Sequence, residues 1–359
     1  MPERNMTSQL GAARLIADHI RFTGDYFRKA KSRSGNSLGD VYFSQDSIQI
    51  TEQVTPDLAR SIEVVRKKLS IPESAIKAYV YASPEIQAYC VSDGADRCFI
   101  RFSSGLIGLL EPAELEFVAG HELGHFLLSH SIGAGEVDSG AYEMKMLQRA
   151  QEISADRLGL LACGSIDVSI RALMKTVSGL PSEHLRFDVG EFISQIRKLK
   201  GEEFLGQGGS SHPSMLVRCR ALLWFSMSNA VKDCSVSEQR PADLDDLDRN
   251  VGRDLNDYVD GPERKEVELL KTHVSMWLAA EQIVSDGMFD KHEQEKFSKL
   301  FGVDNLRKFK SFLGGFDASE VKKEVNDKLS SAIEELNQVF PYSGDKEISG
   351  MKKSILESF

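Results

Sequence analysis

The residues best suited to chemistry are two histidines one helical turn apart with a glutamate beside the first, His121-Glu122-Leu123-Gly124-His125. The segment from Glu111 to His130 is predicted as one helix. Pro112 takes the first helical position without losing a needed N–H, Glu114 and Glu116 suit the positive end of the dipole, and Gly133 follows the last periodic residue. At about 100° per residue the two imidazoles project about 40° apart on one face, which is bidentate metal geometry. Leu115, Val118, Ala119, Phe126 and Leu127 form the adjoining apolar stripe, and Gly124 keeps bulk away between the rings. In this H-E-x-x-H pattern two neutral imidazoles hold zinc, and the glutamate serves as general base toward a water.

A catalytic zinc needs three protein ligands and one open position. The next predicted helix carries Glu152-Ile153-Ser154-Ala155-Asp156. Glu152 can complete the ligand set, and Asp156, one turn on, can accept a hydrogen bond from the far nitrogen of a ligating histidine and so fix its tautomer. Alone, such an E-x-x-x-D run is usually a solvated face. Its weight here comes from the motif that precedes it.

These motifs, with the later Ser211-His212-Pro213 and Arg218, resemble the zinc metallopeptidase family 48, which includes HtpX-like and type I CAAX prenyl endopeptidase-like proteins. The likeness runs over roughly residues 55 to 230. It implies a gluzincin-type zinc endopeptidase with one Zn2+ per chain, His121, His125 and Glu152 as ligands, Glu122 as base, and Asp156 and Arg218 behind them. It also implies that the strand before the metal helix, Cys98 to Ser103, is a sheet edge on which substrate lies extended. Gln87, in Ile86-Gln87-Ala88-Tyr89, stands where relatives carry asparagine. His212 can donate to a developing oxyanion or fill zinc's fourth position and hold the enzyme latent; the glycine-rich approach, Gly206 to Ser210, favours the lock.

The rest of the chain must position these groups. Its 359 residues, 41% hydrophobic and 27% charged, are ordinary for a soluble globular protein of two domains. No apolar run approaches the length of a membrane span, and the first 25 residues lack the apolar core of a signal peptide, so a cytoplasmic location is expected. Five cysteines, Cys90, Cys98, Cys163, Cys219 and Cys234, are widely spaced and read as reduced packing residues. A net charge of −10 without a basic patch disfavours nucleic acid.

The expected fold is α+β and mostly α: residues 1–54 as an N-terminal helix and strand extension, 55–230 as a zincin-like domain, 231–262 as an acidic linker and 263–359 as a helical accessory domain. Residues 7–31 are predicted helical, Pro56 to Leu69 helical, Ala75 to Ala82 and Cys98 to Phe102 extended, and Pro213 opens a helix through Met227. Ala279 to Gly287, with Glu293 and Glu295, resembles the TerB-like module, and a regulatory partner there is an expectation. Asp286, Asp290 and Glu293 lack an EF-hand's ladder of oxygens, so capping and solvation are their expected roles. The rival function is a metal-stabilised sensor or binding protein; an intact Glu122 argues against it, because structural zinc has no use for a base that is not a ligand.

Overall fold

A computed structural model describes residues 10–25, 45–93, 96–130, 141–195, 212–232, 242–258, 261–285 and 289–358. They are mostly helical, with one four-stranded sheet among the described residues. The chain divides into two compact units: Met1–Glu136 with Lys145–Asp260, and Val137–Met144 with Gly261–Phe359. No described helix is long and apolar enough to cross a membrane.

In the first unit, strands β1 (Ser47–Gln49), β2 (Ile76–Tyr81), β3 (Ala88–Ser92) and β4 (Cys98–Ser103) lie in the order β1-β2-β4-β3. The expected edge at Cys98–Ser103 is not one. β4 is wholly buried and bonded on both sides, parallel to β2 and antiparallel to β3 with Cys90 opposite Ile100. The edge on that side is β3, whose residues show no clean alternation yet supply the backbone that completes the ladder. Gln87 turns its amide to accept from the Tyr81 hydroxyl.

Helices surround this sheet: α1 (Gly11–Ile20), α2 (Pro56–Lys68), α3 (Ser104–Leu109), α4 (Pro112–Leu127), α5 (Tyr142–Cys163), α6 (Ile166–Ser178), α7 (Val189–Ser194), α8 (Met215–Ser226), α9 (Asn229–Lys232) and α10 (Ala242–Tyr258). The first helix ends at Ile20, well short of the expected end near residue 31. Its periodicity breaks because Phe22 turns inward to pack with Ala150, Ile153, Val217 and Val251, and the Phe22 N–H donates to Ser154 Oγ at 3.1 Å. A single 3-10 turn, Thr23–Asp25, follows. The helix expected to open at Pro213 starts at Met215, because Ser214 is the better cap and its hydroxyl accepts from the Val217 N–H.

Residues 242–258 differ most from expectation. The acidic composition suggested a solvated linker, but α10 packs into the first unit through buried Leu244, Val251 and Leu255. Asp248 is buried with them: its Oδ1 lies 2.6 Å from Arg157 Nη2, and its Oδ2 accepts from the Thr23 N–H at 2.8 Å. Removing one partner of so buried a pair costs roughly 3–5 kcal/mol, so α10 is structure and not spacer.

The second unit is helical: α11 (Gly261–Ser285), α12 (Lys291–Phe301), α13 (Val303–Leu313), α14 (Ala318–Val339) and α15 (Gly344–Ser358) enclose a core around Trp277, Phe297, Phe309 and Leu336. Asp290 and Glu293 form a reciprocal capping box on α12, while Asp286 lies outside the described residues.

Candidate metal centre

The motif helix α4 is fixed at its start. Glu111 and Glu114 form a capping box, and Glu114 Oε2 also receives the buried Lys175 ammonium of α6 at 2.6 Å. Along its length α4 packs against α5 through glycine. A Cβ built on Gly120 would stand 2.4 Å from Ala162 Cβ, and one on Gly159 would stand 2.8 Å from the Phe117 carbonyl oxygen. No side chain fits between the two backbones at these points. That close approach sets Glu152 of α5 beside the two histidines of α4.

Donor atoms of His121, His125 and Glu152 all lie within 4.8 Å of one another. The two Nε2 atoms are 3.1 Å apart, Glu152 Oε1 is 3.4 Å from His125 Nε2, and Glu152 Oε2 is 3.6 Å from His121 Nε2. A tetrahedral ion bound at about 2.0–2.1 Å needs ligand atoms about 3.3 Å apart, so the three separations match the edges of a zinc coordination shell. The donor chemistry agrees. His121 Nδ1 lies 2.9 Å from Asp156 Oδ1, and donation in that direction leaves Nε2 with its lone pair facing inward.

Asp156 is itself held. Arg218 clamps it with both arms of the guanidinium, Nε to Oδ2 at 2.8 Å and Nη2 to Oδ1 at 2.6 Å, while Nη1 reaches Glu152 Oε2 at 3.3 Å. Burial works to raise the carboxyls of Glu152 and Asp156, but the Arg218 charge and the histidines outweigh it, and both are held below the usual carboxylate range. Glu122 goes the other way: burial pushes its carboxyl up, and the charges of His121 and His125 only partly offset this. For His125, burial works to lower the ring, and the bond and charge of Glu152 raise it on balance. Glu152 and Asp156 share one guanidinium, an excess of negative charge that a divalent cation would neutralise. The residues fit zinc.

Asp156→Asn is expected to keep the fold and to weaken zinc binding about 10- to 100-fold, the usual scale for losing the carboxylate behind a ligand. Unchanged affinity in a chelator competition would reduce Asp156 to a partner of Arg218 alone.

His212 reaches one member of the group of three without joining the mutually close set. Its Nε2 lies 3.4 Å from Glu152 Oε1, and its side chain is 60% exposed. The Gly206–Ser210 approach and the cap residues Asp138 and Ser139 lie outside the described residues.

Sequence reasoning missed two groups on the far side of His125. His125 Nδ1 meets His130 Nδ1 at 2.8 Å, and His130 Nε2 meets Asp25 Oδ2 at 2.8 Å. Ser129, at φ 60°, turns the chain so that the His130 N–H donates to the His125 carbonyl and its ring folds back. Burial lowers His130 to about 4 against the pull of Asp25, which keeps its ring neutral. Asp25 is held below its ordinary value: burial opposes this, and His130 and Arg21 outweigh it. The sequence signal for His130 was a third histidine five residues beyond the motif; Asp25, 105 residues away from it, gave none.

A family model described as Peptidase family M48 matches residues 52–144. The chain is also 33% identical over 137 residues to plastoglobule-localized metallopeptidase 48, chloroplastic, of Arabidopsis thaliana, an alignment covering 33% of this chain and 40% of that protein. The match therefore spans well under half of the relative's length. No solved structure matches.

Proposed function

We propose that the first unit is a zinc-dependent endopeptidase in which His121, His125 and Glu152 hold the ion and Glu122 is the general base. The observation that carries this is the convergence of two imidazole nitrogens and a carboxylate at tetrahedral spacing beside Glu122. When bound, zinc would supply Lewis acidity, acidifying a water and polarising the scissile carbonyl. Glu122 then takes the proton from the attacking water and returns it to the leaving amine. Its raised carboxyl makes it a better base than a solvated glutamate.

The likeness to metallopeptidases supports a protein or peptide as substrate. β3 is the sheet edge that packs beside α4, and a strand in that position can take an extended peptide as an added strand. This moves the proposed docking edge from Cys98–Ser103 to Ala88–Ser92.

For His212, a side chain 60% exposed and in reach of Glu152 but outside the mutually close donor group supports a role toward substrate, donating to the developing oxyanion, over a latent lock. His212→Ala should then lower kcat roughly 10²-fold at equal zinc content. A rise in activity would instead support the latent lock. The all-helical second unit and the resemblance of Ala279–Gly287 to TerB-like modules support an accessory role for residues 261–359.

The deciding experiment joins metal analysis to cleavage of an unfolded protein by wild type and Glu122→Gln. Zinc without cleavage in wild type would sink the peptidase reading and leave a metal-stabilised binding protein.

A further inference from the structure

His121 and His125 are oriented by different means. His121 gives its far nitrogen directly to a carboxylate that an arginine clamps. His125 has no carboxylate at that distance; its far nitrogen meets a second imidazole, and the carboxylate stands behind that ring, with Arg21 Nε 3.0 Å from the same Asp25 oxygen.

We infer that Asp25 and His130 are positioning residues for the metal centre: the Asp25 carboxylate, acting through the His130 ring, fixes the His125 tautomer and aims its Nε2 at the ion. This rests on the zinc reading above.

Hydrogen-bond polarity forces one arrangement. A neutral imidazole has one donor and one acceptor. Asp25 can only accept, so His130 must carry its proton on Nε2 and present Nδ1 as an acceptor. His125 must then donate from Nδ1, which leaves Nε2 bare toward His121 Nε2 and Glu152. No other distribution of protons satisfies both 2.8 Å contacts with a neutral pair and an ionised Asp25.

The relay is shielded and braced. The side chains of His130 and Asp25 are 3% and 0% exposed. The turn that carries Asp25 is pinned just before Gly24: the Phe22 N–H donates to Ser154 of α5, the Thr23 N–H donates to Asp248 of α10, and Arg157 joins Asp248 to the Ile20 carbonyl. Asp25 Oδ1 is buried with no hydrogen-bond partner among the described residues. Burying a carboxylate with one oxygen unmatched is costly to a fold, and aiming a metal ligand is a role that offsets the cost. Asp25 also lies outside the span matched by the family model, so the Thr23–Asp25 turn contributes to the centre from before that span.

The test uses the full chain as wild type, Asp25→Asn and Asp25→Glu. In a chelator competition, zinc affinity should fall about 10- to 100-fold in Asp25→Asn and recover in part in Asp25→Glu, with the melting temperature of the zinc-free chains little changed. Histidine 15N NMR of zinc-free wild type should show His125 protonated on Nδ1, and Asp25→Asn should populate both tautomers. His130→Phe keeps the ring's bulk, removes both nitrogens, and should show the same loss of affinity; it stands in if Asp25→Asn does not fold. Unchanged affinity and tautomer in a folded variant, or a loss of melting temperature without loss of affinity, would overturn the inference and leave the zinc reading intact. A wild type that takes up no zinc would overturn both.

Discussion

Glu122→Gln is expected to bind about one equivalent of zinc, as wild type should, and to cleave an unfolded protein with kcat lowered about 10²- to 10⁴-fold, the range a general base supplies. The separation of the two effects follows from geometry. The three donors that converge are His121, His125 and Glu152, and Glu122 is not among them, so an amide of the same shape should leave the metal in place. What the amide lacks is basicity. Burial has raised the Glu122 carboxyl above its ordinary value, and glutamine cannot take the proton at all. A variant that keeps full activity would remove Glu122 from the mechanism; one that loses its zinc would mean the glutamate is a ligand.

His125→Ala and Glu152→Ala should each lose zinc outright, measured as metal per chain after dialysis against a weak chelator. Three protein ligands are the working minimum for a catalytic zinc, and neither variant has three. Glu152→Ala should be the worse of the two. Its carboxylate also faces Arg218, and removing it leaves that guanidinium's positive charge turned toward the ion's position with only Asp156 to balance it. Full metal content in Glu152→Ala would show that another residue completes the set.

The sequence made the donor groups legible because each sits in a short local pattern. His121 and His125 are one turn apart, as are Glu152 and Asp156, and helical periodicity alone turns each pair to one side. What joins the pairs is not local. The glycines at 120, 124 and 159 read as ordinary small residues until the two backbones are seen against each other. β3 was illegible for a similar reason, since pairing with β4 makes it a strand and its own residues do not announce it. The misreading of α10 was avoidable. Asp243, Asp245, Asp246 and Asp248 dominate the composition, but Leu244, Leu247, Val251 and Leu255 recur at helical spacing between them, and the buried Asp248 serves Arg157 instead of solvent. Counting charge hid a period. Asp25 could not have been found from sequence, because a carboxylate acting through one imidazole on another leaves no fixed spacing in the chain.

The contact between α4 and α5 bears on how the centre captures its ion. Where ligands hang from mobile loops, binding must first gather them, and the lost freedom subtracts from affinity. Here the gap between His121, His125 and Glu152 is set by the close approach of the two helices at Gly120, Gly124 and Gly159. The freedom was given up in folding, so little ordering entropy opposes capture. The same stiffness makes the gap a gauge of ionic radius: a larger divalent ion has to spread two helices already in close contact through Ala162, Leu158 and Phe117.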